Sequence, residues 1–555
     1  MKKQGRALAL MLAFILAGQA AACAGGENGP AESTQAGSSA EESAAGTGEA
    51  GTAESGAADK EGTEAAGEES EKVGLPAVGD VVEGFEVKEI RPFDMIATDI
   101  VLFEHQKTGA KLLYFANDDT NRVYDLTFLT QAIDDTGLPH VFEHATLNGS
   151  EKYPSSALFF NMINQTYNTY LNASTYQVMT TYPCASLSEE QLLKYADFYT
   201  DSCLHPCVLE KESIYREEAW RYRLPNADSE MTIEGTVYSE MLAAYNLHRA
   251  AAYNAARTIC PGSYAGNVSG GDPKYIPDMT YEMLRDYHEK YYHPSNCLAG
   301  LYGDFKDYTA FLKLLNEAFA PYEPQDFVLE DPGYTPIAES VEKEFTFPAE
   351  ASSDTANKSE IYYEILCPGL KKDSEQLTKV TILTALLGQE SSPLGQALNE
   401  QFPASTYNVY VENEMPESAL VFTLSEANPE DAAPFRETID RVLSEVSETG
   451  FSDGFVDAQA ASSELAAKLA RENTSLGTDL IPAFMYEYAC TGSLWKYLQD
   501  TEAVEQIRSW HEAGEFQTVL SGLLAEEPVT ALVTTRPEPG AKESRTGSLR
   551  HAFRR

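Results

Sequence analysis

Cysteine is scarce in this 555-residue chain, and what there is follows no pattern. Beyond Cys23, the residues Cys184, Cys203, Cys207, Cys260, Cys297, Cys367 and Cys490 form an odd set at irregular intervals, which argues against a disulfide framework and for mostly buried thiols. Bases are short too: 40 Lys+Arg face 86 Asp+Glu, a net charge of −46. Such a field repels phosphate backbones and anionic surfaces, so nucleic acid is not expected as a partner. No apolar run is long enough to span a bilayer; the one near the start, Ala7 to Ala17, falls well short. From Ala24 to Lys72 there is no aromatic residue and almost no branched aliphatic one, so nothing can be buried against the entropy of ordering. The chain as a whole is nonetheless 43% hydrophobic and 10% aromatic, enough for more than one core.

The beginning reads as an address. Lys2, Lys3 and Arg6, the short apolar run and the small residues before Cys23 form a secretory signal over 1–23. Ala20-Ala21-Ala22-Cys23 resembles a bacterial lipobox without its usual Leu, so either Cys23 takes a lipid or an ordinary cleavage falls nearby. The expected location is outside the cytoplasm, on the outer face of the cell membrane through a lipid on Cys23 or secreted. Residues 24–74, with twelve acids against Lys60 and Lys72 between Ala24 and Lys72, read as a disordered acidic tether.

Order is expected from about residue 75. Gly84 to Ile90, Asp99 to His105, Lys111 to Ala116 and Val123 to Leu129 read as strands; Pro139 to Leu147, Glu189 to Thr200, Glu210 to Tyr222, Thr236 to Ala256 and Thr280 to Tyr291 read as helices, with a strand at Cys297 to Tyr302. After a Pro-rich connector, Pro321 to Pro336, strands recur at Ile361 to Leu366, Tyr407 to Glu412, Ala419 to Ser425 and Pro528 to Thr535. Helices recur at Glu375 to Leu387, Ala432 to Glu448, Gly454 to Glu472 and Thr501 to Glu515. The fold class is α+β, two bodies over 75–325 and 326–540, with a basic tail over 541–555 expected to be unstructured.

The chemistry lies in Gly137-Leu-Pro-His140-Val-Phe-Glu143-His144. With Pro139 opening a helix, residues 140, 143 and 144 share one face. Two imidazoles one turn apart can bind a single Zn²⁺, while Glu143 can take a proton from a water the metal activates. This is the inverted zinc-protease pattern H-x-x-E-H. A catalytic zinc takes a third protein ligand, and Glu240, on the apolar-faced stretch after Gly235, is preferred to Glu217 and Glu218. Those two either support the ligands from behind, Glu218 being the candidate, or are solvated helix charges. Cys203-Leu-His205-Pro-Cys207 is read as structural rather than as a second metal site. Tyr167, Tyr170, Tyr176 and Tyr182 are read mostly as packing residues.

In order and separation, four blocks resemble the pitrilysin-type inverzincin metallopeptidases: Gly137 to Pro154, Thr169-Tyr-Leu-Asn172-Ala173-Ser-Thr-Tyr176, Glu218-Ala-Trp220 and the stretch around Glu240. The spacing of 96 residues between His144 and Glu240 is similar to the presequence-protease and falcilysin branch. Ser392-Pro-Leu-Gly and Gly492-Ser-Leu-Trp495 resemble that family's second, metal-free repeat. The resemblance implies two related pitrilysin/mitochondrial-processing-peptidase-like domains in tandem, with one zinc on His140, His144 and Glu240 and Glu143 as general base. It also implies a sheet edge at Asn172 and Ala173 on which an unfolded peptide adds as a strand. Members of this branch run to about twice this length. The ending His551-Ala-Phe-Arg-Arg555 does not resemble their hinge, which implies either a truncated frame or a separately encoded C-terminal half. The alternative reading is a non-catalytic or incomplete half that needs a partner chain.

Overall fold

In each half of the molecule the last strand threads into the middle of a sheet that earlier strands began. The computed structural model describes residues 72–542 apart from 227, 230, 336 and 526. The signal at 1–23 with Cys23, the tether up to residue 71 and the tail from 543 lie outside the described residues. The first half runs through β1 (Val81–Val82), β2 (Phe85–Phe93), β3 (Thr98–His105), β4 (Lys111–Ala116), β5 (Arg122–Leu129), β6 (Tyr170–Leu171), β7 (Ser174–Thr175), β8 (Met179–Thr181) and β9 (Cys184–Ser186). A hairpin, β10 (Arg221–Arg223) with β11 (Thr232–Glu234), stands apart, and β12 (Cys297–Gly303) closes the sheet in the order β1-β2-β3-β4-β12-β5-β8-β7, with β9 joining β5 to β6. Strand β12, Cys-Leu-Ala-Gly-Leu-Tyr-Gly, is buried along its whole length because it lies between β4 and β5 with both faces covered.

The second half repeats that plan with β13 (Val341–Ala349), β14 (Ser359–Cys367), β15 (Thr406–Glu412), β16 (Ser418–Ala427) and β17 (Thr530–Pro539), ordered β13-β17-β14-β16-β15. As β12 runs parallel to β4 and antiparallel to β5, so β17 runs parallel to β13 and antiparallel to β14. Two related α+β domains in tandem therefore stand.

The helices that matter below are α1 (Leu138–Thr146), α2 (Glu212–Glu218), α3 (Thr236–Ala244), α4 (Leu247–Ile259), α5 (Ser374–Leu387) and α6 (Leu476–Thr491). Each half lends a helix to the other. Helix α6 lies on the first sheet, where Ile481 packs against Gly300 of β12; a Cβ at Gly300 would stand 2.4 Å from the Ile481 side chain. Helix α4 lies on the second sheet, its small Ala251 and Ala255 meeting Tyr362, Val421 and Val533. Among the described residues two buried clusters, under α6 and α4, join the halves, while the clusters between each sheet and its own helices keep to one half each.

Several boundaries differ from the sequence reading. Thr236 to Ala256 is two helices, because Tyr245 turns extended and the Asn246 side chain accepts the Arg249 N–H to start α4. The helix expected over Glu210 to Tyr222 ends at Glu218, and residues 221–223 are strand β10. Thr501 to Glu515 is broken by a 3₁₀ turn at Ala503–Gln506 and by Gly514, held at φ +71°. Strand β13 was missed because Glu and Lys alternate along an exposed sheet edge. Helix α6 was missed because it is buried on most sides and carries Pro482. No described helix is long and apolar enough to cross a membrane.

Candidate metal centre

Helix α1 is set by a close backbone approach. Gly137 precedes it at φ +73°, and a Cβ there would stand 2.5 Å from Gly271 Cα, so only glycine lets the loop at Gly270 and Gly271 lie against the helix start. The Gly270 carbonyl then accepts from His140 Nδ1 at 3.0 Å. The loop is pinned from the other side by Asp135, which accepts the Val268 N–H at 2.9 Å and pairs with Arg257.

Glycine works a second time at the foot of α3. A Cβ at Gly235 would lie 2.1 Å from the Ala219 carbonyl, so α3, which carries Glu240, can start against the end of α2, which carries Glu218. On the far side of the imidazoles, Glu218 Oε2 stands 3.4 Å from His144 Nδ1, and Asn148 Nδ2 donates to Glu218 Oε1 at 3.0 Å. Both histidines thus have Nδ1 engaged, which leaves both Nε2 lone pairs free to face outward.

Those two Nε2 atoms face one oxygen. Glu240 Oε2 is 3.7 Å from His140 Nε2 and 3.6 Å from His144 Nε2, and the three groups are the one set among the described residues whose ligand atoms could share an ion. A tetrahedral zinc with bonds of about 2.0–2.2 Å has ligand–ligand edges of about 3.4 Å, so the donor set fits zinc in kind and spacing and leaves a fourth direction open. Burial alone would lower the pKa of His144, but the Glu218 hydrogen bond and the charges of Glu143, Glu218 and Glu240 outweigh it and raise it. The imidazole therefore sits in a field that favours positive charge. Glu143 is buried beside the trio, its Oε2 accepting from Thr175 Oγ1 at 2.6 Å.

The sheet edge lies next to this trio. Strand β7 pairs with β8 on one side only, and Asn172 and Ala173 form the link leading into it. Asn172 N–H donates to Pro183 O; since Pro183 has no N–H to return, the Asn172 carbonyl accepts from Tyr199 OH at 3.1 Å instead. Antiparallel geometry turns alternate residues away from β8, so the main-chain groups of Ala173 and Thr175 face the open edge.

His140, His144 and Glu240 come together, with Glu218 behind His144; Asn172 and Ala173 lie on the chain that leads into β7, whose Thr175 bonds Glu143. One premise fails: Glu240 is 50% exposed, so the cost of burying it is not what singles it out. Glu217 is solvated while Glu218 is buried, which separates the two. Cys203, His205 and Cys207 join no metal-binding group among the described residues, and His205 stacks on Tyr322. Of the tyrosines, Tyr182 is fully buried but Tyr167 is 86% exposed, so packing does not describe it. Sequence reasoning missed Thr175, Gly270 and Asn148; the paired glycines at 270 and 271 were the available signal.

Two family models match the chain: "Insulinase (Peptidase family M16)" over residues 131–255 and "Peptidase M16 inactive domain" over 278–462. Protein HypA of Clostridium perfringens is 28% identical over 477 residues, 85% of this chain and 49% of that protein. The mitochondrial presequence protease of Mus musculus is 29% identical over 418 residues, 73% of this chain and 39% of that protein. Among solved structures, a protease from Helicobacter pylori superposes with a TM-score of 0.57 at 15% identity, covering 78% of this chain and 98% of that one, a likeness of fold. The first model spans His140, Glu143, His144 and Glu240, so the site lies within the stretch that matches it. The chain belongs to the M16 peptidase family. It spans about half, or less, of the length of these curated relatives.

Proposed function

We propose that this chain is a zinc endopeptidase that hydrolyses unfolded peptides, with Glu143 as general base. The observation that carries the reading is the convergence of His140 Nε2, His144 Nε2 and Glu240 Oε2 with the Glu143 carboxylate beside them. His140, His144 and Glu240 would hold the ion, which when bound supplies Lewis acidity, lowering the pKa of water to about 7 and polarising a carbonyl. A peptide lies along β7, its main chain bonded to the outward groups of Ala173 and Thr175, which fixes its register and excludes folded chains. Glu143 takes one proton from the attacking water, whose oxygen bonds to the acyl carbon as the C–N bond breaks. The same carboxyl then delivers that proton to the leaving amine. Thr175 Oγ1 holds Glu143 Oε2, so the base keeps its orientation while the other oxygen works.

A second reading keeps the site but not its independence: the chain, which spans 49% and 39% of these curated relatives, would be an incomplete half that works only with a partner half. Cleavage of an unfolded peptide series separates the readings. The first expects turnover by the wild-type chain alone and a loss of about 10²–10⁴-fold in Glu143→Gln; zinc binding without turnover until a partner is added favours the second. Export and lipid attachment at Cys23 are proposed as well, with Cys23→Ser expected to move the protein from the membrane to the soluble fraction.

A further inference from the structure

The edge strand and the histidine-orienting loop are separate pieces of chain, and one buried side chain bridges them. Gln177 sits in the turn between β7 and β8, where Tyr176 N–H donates to Met179 O at 2.8 Å. It is 3% exposed. Its Nε2 donates to two main-chain carbonyls, Tyr264 O and Asn267 O, both at 2.9 Å. Both partners are acceptors, so only the amide nitrogen can occupy that place, and neither Glu nor an apolar side chain can replace it. The segment it grips is not incidental: three residues past Asn267 is Gly270, whose carbonyl holds His140 Nδ1. Asn267 in turn donates from Nδ2 to Ala132 O at 2.8 Å, in the loop that enters α1.

We infer that Gln177 is a positioning residue that couples the register of the peptide-binding edge to the orientation of His140. The inference rests on the zinc-peptidase reading and adds to it a residue that touches neither metal nor substrate. Its physical content is a shared clamp. Both hydrogen bonds run from a buried amide to half-buried residues, where leaving a carbonyl unpaired is costly. Without them the loop keeps its Asp135 anchor but loses its tie to the β7–β8 turn. Loosening the clamp should therefore be felt at both ends, as weaker zinc binding and as weaker peptide binding. An ordinary packing residue in this core would affect neither.

The test uses the full chain. Gln177→Met removes both donors at nearly constant volume. Thr200→Val, which removes the buried hydroxyl contact with Tyr124 OH in the same domain, is the control for lost stability alone. Zinc affinity is measured by competition with a chromogenic chelator. Peptide affinity is measured by anisotropy of a labelled unfolded peptide on a Glu143→Gln background. Gln177→Met is expected to weaken zinc about tenfold, the scale on which groups behind metal ligands act, and to weaken the peptide several-fold, while Thr200→Val changes neither. If Gln177→Met does not fold, Gln177→Asn, which keeps the amide one methylene short, carries the same comparison at smaller amplitude. Unchanged zinc and peptide affinities beside a lowered Tm would overturn the role and leave the metal reading standing. A wild-type chain that takes up no zinc would overturn the reading itself, and this role with it.

Discussion

The two sheets share one strand plan and differ in what hangs from it. In the first, the helix after the central strand β5 is α1, with His140, Glu143 and His144; in the second, the helix after β14 is α5, which carries no histidine at all. The only histidine between residues 326 and 540 is His511, an exposed-side partner of Asp453 far from α5 in sequence. A common scaffold therefore does not make a common site, and chemistry follows the few side chains placed on it. The central strands sharpen the contrast. On the face towards the borrowed helix, β5 buries Asp125, opposite Gly300, and β14 buries Glu364, opposite Ala531, together with Glu360, which bonds His248 of α4 and Ser425. Asp125 is met by the Thr181 hydroxyl at 2.6 and 2.7 Å and by Thr127, and burial lifts its pKa to about 6 against those hydrogen bonds. Glu364 Oε2 has no hydrogen-bond partner among the described residues, and burial, with the charge of Glu412 adding, pushes its pKa up to about 8.

Moving chemistry between the halves should break the comparison, most severely at the ligands. His144→Ala is expected to abolish stoichiometric zinc, read by metal analysis after gel filtration, whereas His511→Ala should leave zinc unchanged. Next in size is Glu218→Gln, which keeps the shape of the group behind His144 but removes its charge; zinc affinity should fall about 10–100-fold in chelator competition. Ile481→Ala tests the borrowed helix: emptying the contact over Gly300 should cost roughly 2–5 kcal/mol in urea unfolding, as large-to-small core changes do.

The smallest effect concerns pH. An acid whose folded pKa is raised stays protonated in the folded state while the unfolded chain has lost that proton. For Glu364, stability should therefore fall as pH rises from the usual 4.5 towards about 8. Glu364→Gln should flatten that fall. Asp125→Asn should act only between its usual 3.8 and about 6. Denaturation midpoints across pH 4–8 read both windows.

The candidate site residues on α1 were legible because a helix turn writes its own geometry into the sequence: residues 140, 143 and 144 need no tertiary knowledge to share a face. Glu240 was preferred first on a burial argument, which its half-exposure overturns, and then on resemblance and spacing, which lead to the same residue. What stayed hidden was long-range. Gly137, Gly235 and Gly270 matter for what lies against them, and nothing local tells that Ala219 or Gly271 will be there. The same applies to α6, whose apolar residues serve the other domain's sheet. Strand β13 went unread because only one of its edges is paired, so charged residues run along it in place of an apolar pattern.

The central claim is that a single ion is held between α1 and α3. Metal content of the purified chain after zinc loading and desalting tests it most directly, alongside His140→Ala and Glu240→Ala. The account predicts one zinc per wild-type chain and loss of stoichiometric zinc in both variants. A wild-type chain without zinc, or variants that keep it in full, would contradict the account.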